Sequence, residues 1–124
     1  MSDNLPLRER RCIPCRGDIP PLSSEEIASL ASQVSNWQID SDCAAGKNSL
    51  CLRRELRFKN FREAMAFLRE LEEIAEAEGH HPDFCVHYNR VRFMLWTHAI
   101  AGLHENDFIL AAKIDQLYKR YYPI

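Results

Sequence analysis

A chain of 124 residues, 46% hydrophobic and 27% charged, is long enough to form one domain around a core of its own. Its formal charge of −2 and pI near 6.2 give no electrostatic reason to expect nucleic-acid binding. No apolar run approaches the roughly 20 residues of a membrane span. The polar start, Met1 to Arg11, lacks the apolar centre of a secretory signal, and five cysteines without framework spacing read as reduced thiols, so the expected compartment is cytoplasmic.

Residues 1–22, with mixed charge and then Gly17, Pro20 and Pro21, read as an irregular arm, and residues 23–124 as a single domain. The domain opens with Ser23 and Glu26 spaced as a capping box and Leu22 and Ile27 as a hydrophobic staple. Ile27, Leu30, Ala31 and Val34 follow as one helical stripe. Trp37 to Asp40 alternates as a short strand, Ser41 to Asn48 is turn-like, and Leu50, Leu52, Leu56 and Phe58 mark a longer strand that Arg54 interrupts. A second helix is capped by Asn60 with Glu63 and stopped by Gly79, with Phe61, Ala64, Met65, Leu68, Leu71 and Ala75 on one face.

Next, Phe84 to Tyr88 and Val91 to His98 read as a hairpin turning at Asn89-Arg90, which pairs Tyr88 with Val91, Val86 with Phe93 and Phe84 with Leu95. That register sets His87 opposite Arg92 at the surface. The other face carries Cys85, Met94 and Trp96, apolar enough to predict cover by a partner subunit or by the arm. A last helix is expected over about Asp107 to Tyr121, with His104 in the loop before it. Strand pairs alternating with amphipathic helices, in the order α-β-β-α-β-β-α, predict an α+β fold: an antiparallel sheet with the helices on one face.

The chemistry-bearing residues gather in two places, His80-His81-Pro82 with Glu76 just before it, and His98. Imidazole moves protons near neutral pH, and Pro82 holds His81 extended. Glu76, one helical turn before His80, is placed to orient an imidazole. A histidine pair on a loop is, taken alone, more often plain surface. A zinc reading of His80, His81, His98 and Glu76 is disfavoured, because adjacent histidines rarely share one ion and no H-x-x-x-H or paired C-x-x-C spacing is present. Cys12-Ile13-Pro14-Cys15 is a lone C-x-x-C with neither a second pair nor a thioredoxin-like context, and is read as non-catalytic. Asp107 has the simple role of an acid in the first turn of a helix.

The run from Glu76 through His80-His81-Pro82, Tyr88 and His98 to Asp107 resembles the signature of the pterin-4a-carbinolamine dehydratases. The resemblance implies a four-stranded antiparallel sheet with three helices, assembled as a homodimer or homotetramer. It implies dehydration of 4a-hydroxytetrahydropterin, with the pterin as substrate and neither cofactor nor metal. The catalytic set would be His80, His81 and His98, the first and last moving protons and His81 mainly holding the pterin together with Glu76. Trp37 matches a tryptophan near the family's pterin cleft, and Asp107 and Pro82 would support the site. His104 departs from the Ser or Thr that many relatives carry three positions before the acid, and Gly79 from an acid just before the histidines. Members that act as transcriptional coactivators or assist assembly of a carbon-fixing enzyme make a non-catalytic binding module the alternative.

Overall fold

The computed structural model describes residues 5–14, 17–43 and 46–123. The elements in chain order are α1 (Ser24–Ala31), β1 (Gln38–Cys43), β2 (Gly46–Arg57), α2 (Phe61–Glu78), β3 (Asp83–His87), β4 (Arg90–Leu95) and α3 (Glu105–Tyr121). The strands form one antiparallel sheet in the order β1-β2-β4-β3, the expected α+β architecture. No helix among the described residues is long and apolar enough to cross a membrane.

The helix ends form where side chains can take up orphaned backbone groups. Ser23 and Glu26 close the capping box of α1. The Asn60 carboxamide accepts from Glu63 N–H at 2.9 Å, while the Glu63 carboxylate turns to Lys59 N–H. Gly79 ends α2 at φ 66°, a left-handed conformation costly for any residue with a Cβ. On α2 the buried face is Ala64, Phe67, Leu68, Leu71 and Ala75; Phe61, expected on that face, is exposed. Helix α3 begins earlier than expected because His104 caps it. Its Nδ1 accepts from Asn106 N–H at 3.0 Å, and Asp107 accepts from His104 N–H at 2.9 Å. An imidazole thus performs the task usually given to a hydroxyl.

Arg54, the interruption in β2, sits under the helix layer. It forms an ion pair with Asp115 of α3 and lies over the Tyr118 ring at 5.5 Å. Burial pushes the Asp115 carboxyl above its usual range, opposed by hydrogen bonds from Trp37 and Arg54. Trp37 Nε1 donates to the same carboxylate at 2.8 Å, and its ring packs on Phe93. Trp37, which the resemblance sets near a pterin cleft, is buried here among core side chains.

The β3–β4 register also differs from the expected one. His87 pairs with Arg90, Cys85 with Arg92, and Phe84 with Phe93, so the turn is Tyr88-Asn89. The cause lies in Asn89, which grips the end of β2: its carbonyl accepts from Phe58 N–H and its side chain donates to Phe58 O. Tyr88 takes up the strain at φ 54°. The slip is two residues, so every side chain keeps its face, and Val91, Phe93 and Leu95 are buried as expected. Strand β4 stops at Leu95, so His98 lies not in a strand but in a 3-10 turn, His98–Ile100, folded back by the Thr97–Gly102 bridge.

The arm contains a 3-10 turn, Leu7–Glu9, and buries Leu7 in the core. Cys12 and Cys85 are thiols, whereas Cys51 is disulfide-bonded, a correction to the expected reduced state; its partner lies outside the described side chains. The C-x-x-C motif cannot be drawn in full because Cys15 is outside the described residues.

The end of α3 locks onto α2 through two phenols, Tyr121 donating to Glu70 and Tyr122 to Glu63. Burial first, and then the adjacent carboxylate, pushes both phenols up to about 12. A raised value means that this contribution to stability is intact below the unfolded pKa of about 10 and is lost as pH rises toward about 12. Ultraviolet titration of the folded protein should leave two of the four tyrosines un-ionised at pH 11, with both released by denaturant. Full ionisation of the native protein by pH 11 would contradict these pairings.

Candidate active site

Three chain segments meet at one end of the sheet: the exit from α2, the start of β3, and the loop from the end of β4 into α3. Gly79 turns the chain out of α2 and delivers His80 inward and His81 outward. His80 is buried, its side chain 8% exposed, and its Nε2 lies 2.7 Å from Asp107 Oδ1. Asp107 is fully buried and saturated: its other oxygen accepts from Thr97 Oγ1 at 2.8 Å and from His104 N–H at 2.9 Å. Among the described residues no buried side-chain polar atom lacks a partner. The acid read from sequence as a helix-end charge therefore both caps α3 and orients His80.

His81 and His98 are the accessible pair, 61% and 62% exposed. His81 Nε2 lies 2.6 Å from Glu76 Oε2, so Glu76 holds His81 rather than His80, the imidazole one helical turn away from it. His98 stacks on Trp96 with ring centroids 3.8 Å apart and an interplanar angle of 11°. Its Nε2 is 3.3 Å from Asp83 Oδ2, which also accepts from Trp96 Nε1 at 2.8 Å. Each histidine thus has its own carboxylate: His80 with Asp107, His81 with Glu76, and His98 with Asp83.

The segments are tied by adjacency. Thr97, bonded to the acid that holds His80, directly precedes His98, and Asp83, which holds His98, lies two residues beyond His81. Of the expected site residues the fold gathers Glu76, His80, His81, Pro82, His98 and Asp107. Tyr88 is exposed in the hairpin turn, at the opposite end of β3 from Asp83. Asp83, Trp96 and Thr97 escaped the sequence reading. Their signal was faint: an acid directly after the His-His-Pro run, and an aromatic two positions before the third histidine, where a continued strand would place both on one face.

Gly102 shapes the His98 loop from below, because a Cβ there would come 3.2 Å from Pro21 Cβ. A cavity of about 750 Å³ lies elsewhere, lined by Leu7, Gln33, Arg54, Asp115, Tyr118 and Tyr122 among others, with no histidine. The paired imidazoles point instead to the sheet end. Among the described residues no group of three or more His, Cys, Asp or Glu stands close enough to hold a metal ion. The arrangement offers exposed proton-carrying groups on a rim beside a buried, carboxylate-held imidazole, a set suited to moving two protons on one small molecule.

Comparison with known proteins identifies the family. The model of the family described as pterin 4 alpha carbinolamine dehydratase matches residues 20–117. A protein of Methylococcus capsulatus, provisionally named pterin-4-alpha-carbinolamine dehydratase, is 47% identical over 115 residues, covering 93% of this chain and 96% of its own. One of Rubrobacter xylanophilus with the same provisional name is 43% identical over 111 residues, covering 90% and 97%. The crystal structure of a transcriptional coactivator/pterin dehydratase from Brucella melitensis superposes with a TM-score of 0.69 at 28% identity, over 78% of this chain and 97% of that one.

Proposed function

The chain belongs to the pterin 4 alpha carbinolamine dehydratase family, and from that premise we propose that it dehydrates a 4a-hydroxytetrahydropterin, with histidines as acid and base. The observation that carries the reading is the triple pairing of His80, His81 and His98 with carboxylates at one end of the sheet. In the reaction the 4a-hydroxyl takes a proton and leaves as water. N5–H gives up its proton as the C4a=N5 double bond forms, and the product is a quinonoid dihydropterin.

His98, accessible and held flat on Trp96, meets the substrate from the rim. His80, fixed by Asp107, handles the second proton from its buried position beside that rim. His81, exposed and tethered to Glu76, grips the pterin. No step in this scheme requires a metal or an organic cofactor. General acid–base assistance contributes about 10²–10⁴-fold per group, so the double variant His80→Ala, His98→Ala should lose nearly all acceleration over the spontaneous dehydration. Wild-type protein treated with a chelator should keep its rate. Substantial activity in the double variant would remove both residues from their roles, and loss on chelation would overturn the metal-free scheme.

A second reading, a binding module, is favoured by the coactivator designation of the Brucella protein and by the outer face of the sheet. There Cys85 is exposed and Met94 and Trp96 are half-buried, flanked by the ion pairs Arg53–Asp40 and Arg92–Glu55. The described part of the arm packs on the helix side, away from that face. We expect light scattering to show a dimer or larger assembly at micromolar concentration, and Met94→Glu to weaken it. A monomer of full activity would contradict this.

A further inference from the structure

The dehydratase reading leaves the arm without a task, yet the arm is bonded to the residues beside the buried half of the site. Glu78, two positions before His80, has a side chain only 7% exposed, and it accepts from Cys12 N–H at 2.8 Å. Its carboxylate also meets Arg11 at 3.2 Å and Lys113 at 3.7 Å. Asn106, immediately before Asp107, is buried and holds Ile13 at two points. Its Nδ2 donates to Ile13 O at 2.7 Å, and its Oδ1 accepts from Ile13 N–H at 3.0 Å. Further along, Leu22 N–H donates to Leu103 O at 3.0 Å, and Pro21 presses on Gly102. The arm therefore touches the chain just before His80, just before Asp107 and just after the His98 turn.

We propose that the arm segment Arg11–Ile13 is a clamp that sets the His80–Asp107 geometry, with Glu78 and Asn106 as positioning residues for the reaction. The proposal rests on the dehydratase reading for its effect on rate, though not for its effect on geometry. His80 leaves α2 and Asp107 enters α3, and the 2.7 Å bond between them spans two elements that could otherwise slide. Cys12 N–H is bonded to α2 and Ile13 to α3, with Cys12 Sγ also donating to Asn106 O at 3.7 Å, so the two residues bridge the same gap on the outside of the site. The hydrogen bonds run through backbone groups of the arm to buried side chains of the domain. A misplacement of about 1 Å between catalytic groups can cost about 100-fold in rate, so a brace at this point has leverage that its own stability does not measure.

The test uses Ile13→Pro, which deletes the N–H accepted by Asn106 on a residue that is 53% exposed, together with Asn106→Ala and the pair Glu78→Ala and Glu78→Gln. Circular dichroism and thermal melts show which variants fold, and Ile13→Pro stands in if Asn106→Ala does not. Two readouts are taken: steady-state kinetics, and the ¹⁵N signals of the His80 ring, which report which nitrogen holds the proton. We expect Ile13→Pro and Asn106→Ala to lower kcat roughly tenfold with KM within about twofold, and to alter the His80 ring pattern. Glu78→Gln, which keeps an acceptor for Cys12 N–H, should retain most of what Glu78→Ala loses. Folded variants with kcat and ring signals of wild type would overturn the clamp. An inactive wild type would instead overturn the dehydratase reading, and the ring signals would still decide on the clamp alone.

Discussion

Asp107→Asn should fold and yet lose about 10²–10⁴ of the catalysed rate, whereas Asp107→Ala should be hard to fold at all. The difference follows from the three bonds that Asp107 accepts, from Thr97, His104 N–H and the His80 ring. Alanine leaves all of these buried groups without an acceptor, and removing one partner of a buried charged pair costs about 3–5 kcal/mol. Asparagine keeps one oxygen. Placed at the Oδ2 position, that oxygen still serves Thr97 and the helix cap, so the loss of stability should be only about 1–2 kcal/mol. Its amide then faces His80 Nε2 as a donor and forces that nitrogen to be the acceptor. The ring holds the wrong tautomer while its position is preserved, and general acid–base help of about 10²–10⁴ is lost. Melting curves and single-turnover rates on the two variants would test this. An Asp107→Asn enzyme of normal rate would reduce Asp107 to a helix cap.

What the sequence disclosed, and what it hid, follows the range of the interactions. The Ser23–Glu26 box, the Asn60 cap and the Gly79 stop each depend on residues within five positions of one another and could be read directly, whereas Glu76, one turn before His80, turned to His81 because Asp107 had taken His80. The hairpin faces were legible from alternation, but the register was not, because Asn89 answers to Phe58 on a different strand. Arg54 looked like a flaw in a buried strand until Asp115, 61 positions away, supplied its counter-charge. Trp37 was drawn to the same carboxylate and so into the core. The strand ended before His98 because Thr97 bonds to Asp107 and Gly102 rather than continuing a ladder. His104 violated the rule for caps while obeying its physics, since Nδ1 is an acceptor at the right height. Asp83 was passed over because its partners, Trp96 and His98, reach it only once the hairpin closes.

The accessible histidines should separate by kinetic signature. His98→Ala is expected to lower kcat by about 10²–10⁴ with little change in KM, the pattern for a group used in the transition state. His81→Ala should raise KM more than it lowers kcat, as loss of uniform binding does. The structural reason lies in how each ring is held. His98 is sandwiched against Trp96 and directed by a carboxylate that is itself fixed by the Trp96 N–H, so its orientation is set before substrate arrives. His81 depends on Glu76, a side chain 68% exposed on the surface of α2, and such a pair adapts to a ligand rather than presenting one fixed geometry. Asp83→Asn should therefore follow His98→Ala in kind, with a smaller fall in kcat, while Glu76→Gln should follow His81→Ala. Kinetics of the four single variants, on the racemic carbinolamine and then on each 4a-isomer, would decide between the roles. If His81→Ala mainly cuts kcat while His98→Ala leaves it intact, the roles are reversed, and the paired histidines after α2 carry the proton chemistry by themselves.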